Sequence, residues 1–91
     1  MNKKTALIKS LLKGDVINVL NSIKLTGYSN PAREMTREIE KPFCCSVTRV
    51  KRESVDQFGN YVMWYDYKLD KKKPENREGI KKMLDYIKNK N

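Results

Sequence analysis

Apolar residues recur with helical spacing over roughly the first forty positions and with strand spacing over the next thirty, and the change of period divides the chain. Leu7, Ile8, Leu11 and Leu12 form a narrow stripe among Lys3, Lys4, Lys9 and Lys13, predicting a helix over residues 3–13 that Gly14 stops. Val16, Val19, Leu20 and Ile23 then stand at i, i+3, i+4 and i+7. This spacing predicts a second, short helix with that face buried and Asp15 as its cap. Its β-branched residues have low helix propensity, so packing is expected to hold it. Gly27 permits the positive φ of a tight turn. Asn30 and Pro31 mark the start of a third helix over about residues 31–41, with Ala32, Met35 and Ile39 inward and Pro42 as its end.

From Phe43 the pattern changes. FCCSVTRVKR and YVMWYDYKL read as two antiparallel strands, with ESVDQFGN between them and Gly59-Asn60 as the turn. On the second strand Tyr61, Met63, Tyr65, Tyr67 and Leu69 share the more apolar face, assigned inward, which leaves Trp64 on the other. Trp64 either stacks on an unpaired base, joins a protein interface, or is covered by the C-terminal segment, the outcome expected in so small a domain. That segment, residues 70–91, begins as a basic linker. It continues as an amphipathic helix from about Pro74 to Lys88, weakened by Gly79, with Ile80, Met83, Leu84 and Ile87 on one stripe. The stripe either folds back on residues 1–69 or pairs two copies as a homodimer.

Composition narrows the class of partner. A chain of 91 residues with 38% hydrophobic and 34% charged positions is one folded domain with a modest core. Twenty Lys and Arg against eleven Asp and Glu give +9, of which the last 22 residues supply +4, and favour a polyanion, DNA or RNA before a membrane or an acidic protein. Histidine is absent, and the two cysteines, Cys44 and Cys45, are adjacent, so they are read as reduced thiols on a strand, one of them core. No metal cluster, paired-carboxylate constellation or glycine-rich phosphate loop is present in the pattern, so neither a cofactor nor an enzyme is expected. No apolar run approaches the roughly 20 residues that span a bilayer, and MNKKTALIKSLLKGD lacks a signal peptide's cleavage site. A cytoplasmic protein without a membrane role is expected.

The candidate chemistry sits between Asp15 and Lys41, which reads as a helix-turn-helix. Three helices followed by a two-stranded hairpin make a winged helix-turn-helix, an α+β fold, here with an extra C-terminal helix. Asn30, Arg33 and Arg37 lie toward the leading end and solvent side of the third helix, where Arg can pair with guanine and Asn with adenine in the major groove. Alternatively Arg33 and Arg37 pair with Glu34 and Glu38 on a solvated face. Ser29 and the hairpin cations Arg49, Lys51 and Arg52 are placed to hold phosphates. Alternatively the hairpin covers the helices and its charges guard an edge strand.

The run LLKGDVINVLNSIKLTGYSNPAREMTREIE, followed by a basic strand and YDYKL, resembles the winged helix-turn-helix domain of small bacteriophage, prophage and mobile-element proteins. Tyr67-Lys68-Leu69 corresponds to that family's closing Tyr-x-Leu, and Asn30-Pro31-Ala32-Arg33 to its recognition-helix entry. The resemblance spans residues 5–69 and implies a small DNA-binding protein. Its role would be transcription regulation, or that of an accessory factor in recombination, replication or packaging. The competing expectation is a winged protein-interaction module without a sequence-specific DNA role.

Overall fold

The structure, a computed structural model, describes residues 2–90. Helix α1 spans Lys3–Lys13, a short α2 spans Ser22–Thr26, and a helical segment α3 runs over residues 31–43. Strands β1 (Val47–Val55) and β2 (Tyr61–Leu69) form an antiparallel hairpin, and α4 (Arg77–Lys90) follows a 3-10 turn at Pro74–Asn76. The architecture is α+β. Leu7, Ile8 and Leu11 of α1 meet Met35 and Ile39 of α3, Leu69 of β2 and Met83 of α4 in one buried cluster. The outer half of the hairpin projects from it, giving extents of 47 × 29 × 20 Å.

Helix α1 forms as its pattern predicts. The Asn2 side chain accepts a hydrogen bond from the Thr5 amide at 2.8 Å, and Gly14 closes the helix in the left-handed region.

Residues 15–21 depart from expectation. They are not helical, and Val16, Val19, Leu20 and Ile23, expected inward, are all exposed. Ile17 is buried instead and exchanges two backbone hydrogen bonds with Tyr67, at 2.9 and 2.7 Å, adding a one-residue bridge to the outer edge of β2. The asparagines account for this. The Asn18 side-chain oxygen accepts from the amides of Leu20 (2.9 Å) and Asn21 (3.1 Å), and that of Asn21 accepts from the Asn18 amide (2.9 Å). Such local bonds satisfy the backbone in a turn and compete with helix, while the β-branched neighbours favour extended geometry. Asp15 does not cap α2; its carboxylate accepts from the Ser10 hydroxyl at 2.7 Å.

In α3 the buried apolar residues Pro31, Met35, Ile39 and Phe43 recur every fourth position. That repeat drifts about 40° per step around a 3.6-residue helix. The drift is countered because Met35–Glu40 is π-helical, with wider turns: the Lys41 amide bonds the Thr36 carbonyl, five residues back. Ala32, expected inward, is exposed. Pro42 does not end the segment, since the last helical turn continues to Phe43 and the chain breaks at Cys44, a left-handed residue with φ 52°. The first strand therefore begins at Val47, not Phe43, and the cysteines lie in the connection. Cys44 is exposed and Cys45 half-buried, both free thiols.

In the hairpin Val47 faces Leu69, Arg49 faces Tyr67, Lys51 faces Tyr65 and Arg52 faces Trp64. Only the base of the face assigned inward is covered. Tyr67 and Leu69 are buried, whereas Tyr61, Met63 and Tyr65 are exposed because the helices reach no further along the strand.

The C-terminal helix folds back. Met83 is fully buried, and Ile80, Tyr86 and Ile87 pack on the core, leaving Leu84 outward. Gly79 marks close approach rather than weakness: a Cβ there would lie 2.7 Å from both Cys45 Cβ and the Phe43 carbonyl oxygen. Asn76, fully buried, ties the helix start to the sheet, accepting from the Ser46 amide and donating to the carbonyls of Ser46 and Asp70. Trp64 is half-buried, and its indole N–H donates to Asp66 at 3.2 Å, beside Asn18 rather than under the C-terminal segment.

Candidate nucleic-acid interface

The turn at Gly27 (φ 83°) delivers the chain to Ser29 and Asn30, both exposed, and Asn30 caps α3 by accepting from the Arg33 amide at 3.2 Å. That bond engages the Asn30 side-chain oxygen. Along α3 the alternation of Arg and Glu resolves into two sides. The side chains of Arg33 and Arg37 are 63% and 68% exposed, and Lys41 is exposed; those of Glu34 and Glu38 are only 5% and 22% exposed. Basic residues therefore line the outer stripe with Thr36, while the carboxylates turn toward the body.

Each arginine still keeps a partner. Arg33 Nε lies 3.0 Å from Glu34 Oε1, and Arg37 Nε lies 3.9 Å from Glu38, which is also 3.7 Å from Lys4 Nζ. The two pairs differ in consequence. Losing Arg33 would strand a buried carboxylate, whereas Glu38 keeps Lys4 when Arg37 swings away.

The hairpin cations are held more firmly. Arg49 donates to both carboxylate oxygens of Glu40, at 2.7 and 3.1 Å, and to the Val47 carbonyl, with its guanidinium 5.6 Å from the Tyr67 ring centre. Glu40 also accepts from the Val47 amide at 2.9 Å. The Arg49 hydrogen bond, with smaller help from Val47 and Thr36, holds the Glu40 carboxyl below its ordinary range, and Glu40 in turn raises Arg49. The pair locks β1 onto the second half of α3. Arg52 lies 2.8 Å from Asp66, whose other oxygen accepts from Asn18 and Trp64; the Arg52 bond is the main reason its carboxyl is held low. Lys51 is loosely paired with Glu53 at 3.6 Å.

Cations without an ion pair among the described residues include Lys41 on α3 and several at the hairpin base and in α4. Lys68, Lys72, Arg77, Lys81 and Lys82 are exposed and unpaired, and Lys71 donates to the Leu12 carbonyl at 2.9 Å. Lys68, Lys71 and Lys72 border a cleft of about 410 Å³ with Gly14 and Thr48, at the base of the hairpin. A second cleft, of about 460 Å³, lies between the leading end of α3 and the hairpin, lined by Val19, Pro31, Ala32, Met63, Tyr65 and Tyr67.

Sequence reasoning missed Glu40, Asp66 and Asn18, the groups that fix the hairpin's cations and edge. Their signal was weak because each partner is distant in sequence, Asn18 and Asp66 lying 48 positions apart. No helix among the described residues is long and apolar enough to cross a membrane. In comparisons with known proteins, no family model matches the chain, and no curated protein or solved structure matches it significantly.

Proposed function

We propose that this chain is a winged helix-turn-helix protein that binds double-stranded DNA, acting as a transcriptional regulator or an accessory factor in recombination or replication. The supporting observation is the sorting of charge on α3, with Arg33, Arg37 and Lys41 on the exposed side and the glutamates turned inward. A helix so arranged can enter the major groove without presenting carboxylates to phosphates. Arg37, whose exposed pair at 3.9 Å contributes about 0–1 kcal/mol, is released at little cost and is the first candidate for base contact. Arg33 and Asn30 stand beside it. Ser29 and Lys51 are candidates for phosphate contact, Arg49 and Arg52 chiefly fix the hairpin, and the unpaired lysines at 68–82 add grip that is indifferent to sequence.

The test is selection of bound sites from random duplexes, followed by anisotropy titration across salt. Arg37→Ala is expected to lose about 1–3 kcal/mol of discrimination against wrong bases. Lys68→Ala with Lys72→Ala weakens all duplexes alike and lowers the salt slope by about two. Absence of duplex binding at low salt refutes the proposal. The second reading, a protein-interaction module, is favoured by the apolar exposure of Val19, Leu20, Met63 and Tyr65. It predicts no duplex binding at any salt.

A further inference from the structure

We propose that the outer edge of β2 is a dimer interface, where residues 61–65 of two copies pair antiparallel about a two-fold axis at Met63. The pairing pattern identifies the open groups. Ile17 takes both backbone bonds of Tyr67 on the outer edge, and the Asp56 amide bonds the Asn60 carbonyl across the hairpin, so even-numbered residues of β2 face β1. The amides and carbonyls of Tyr61, Met63 and Tyr65 therefore point outward, and they have no backbone partner in the described residues. An open edge with no guard invites another strand.

The hairpin's two edges are treated differently. On the outer edge of β1, Val47 has its amide capped by Glu40, and Arg49, Lys51 and Glu53 carry charge. Such residues discourage pairing. Residues 61–65 of β2, YVMWY, carry none. In a chain of net charge +9, this uncharged stretch lets two copies approach without opposing cations.

The register is self-complementary. A two-fold at Met63 sets Met63 against Met63 of the second copy and Tyr61 against Tyr65, all hydrogen-bonded pairs, with their exposed side chains side by side on one face. Each partner strand leaves the edge at the 56–60 turn, where Ile17 enters, which carries the exposed Phe58 toward exposed Val19 and Leu20 of the other copy. The apolar groups left over by folding are thereby used. The consequence for the DNA-binding reading is paired half-sites, but the interface stands or falls without it.

The test uses the full chain without DNA. Sedimentation velocity of the wild type is expected to show a dimer at high micromolar concentration. Met63→Lys, which places two ammonium groups opposite each other, weakens it at least about tenfold while circular dichroism is unchanged. Oxidative cross-linking then checks the register in a Cys44→Ser background. The Met63→Cys variant forms a disulfide dimer, because a hydrogen-bonded pair sets its Cα atoms about 5.5 Å apart. The Tyr61→Cys variant does not, its two copies being about 14 Å apart along the strands. A wild type that stays monomeric overturns the proposal. So does a dimer indifferent to Met63→Lys, or cross-linking that is equal at positions 61 and 63. DNA binding by a monomer would leave the functional reading intact while removing this interface.

Discussion

Replacing Gly79 by alanine separates two opposing effects whose balance depends on whether α4 is docked. In an exposed helix, glycine to alanine stabilises by about 1 kcal/mol, because glycine surrenders more backbone freedom on folding. Here the added methyl would lie 2.7 Å from the Phe43 carbonyl oxygen and 2.7 Å from Cys45 Cβ. Neither atom is the end of a flexible side chain, so backbone must shift, and overpacking of this kind costs about 1–3 kcal/mol. With two clashes on unyielding atoms the upper half of that range applies, leaving a net destabilisation of about 1–2 kcal/mol after the propensity gain. In a domain of this size that lowers Tm by about 5–15 °C. Urea unfolding followed by circular dichroism measures it directly, with Lys82→Gly as the control, expected to cost about 1 kcal/mol through propensity at an exposed site. A Gly79→Ala variant more stable than the wild type would refute docking of the helix against the 43–45 connection.

Other expectations follow from the charged lock and the thiols. Glu40→Ala leaves the Val47 amide and Arg49 without their acceptor and should cost about 1–2 kcal/mol, a figure held down by partial exposure, in the same urea assay. Because folding lowers the Glu40 carboxyl below its ordinary value of 4.5, this contribution is full above that pH, declines as pH falls through the window below it, and is gone beneath the folded value. Glu40→Gln should therefore flatten part of the acid limb of the stability profile; an unchanged limb would leave the lock without an energetic role. Burial pushes the Cys45 thiol up to about 11, so at pH 8 an exposed-thiol reagent should modify Cys44 quickly and Cys45 only on unfolding. Equal rates at the two, read by mass spectrometry, would contradict the burial.

Local chemistry was legible wherever an element's period and its punctuation agreed. Helix α1, with Gly14 after it, the Asn30-Pro31 start of α3 and the Gly59-Asn60 turn could all be placed because each rests on contacts within a few residues. Residues 15–23 misled because Val16, Val19, Leu20 and Ile23 carry a faultless helical spacing. Asn18 and Asn21 satisfy the backbone locally, and the one apolar residue off that stripe, Ile17, is claimed by Tyr67 fifty residues on. The inward side of β2 misled for a related reason: alternation defines a face, but how far along it the helices reach is set by packing.

The candidate site divides in the same way. The sequence by itself determined that α3 is led by Asn30 and carries Arg33 and Arg37 four apart, and that the chain is strongly basic. Only the tertiary structure decided that the glutamates turn inward, Glu34 being buried, Glu38 meeting Lys4 of α1, and Glu40 meeting Val47 and Arg49 across the α3–β1 junction. It also decided that Arg49 and Arg52 are bound, and that the last helix is spent on its own core through Met83 and Gly79. The reason is physical: periodicity and capping act over one or two turns, whereas the partner of a charge or the cover of an apolar face is fixed by chain segments that only folding brings together.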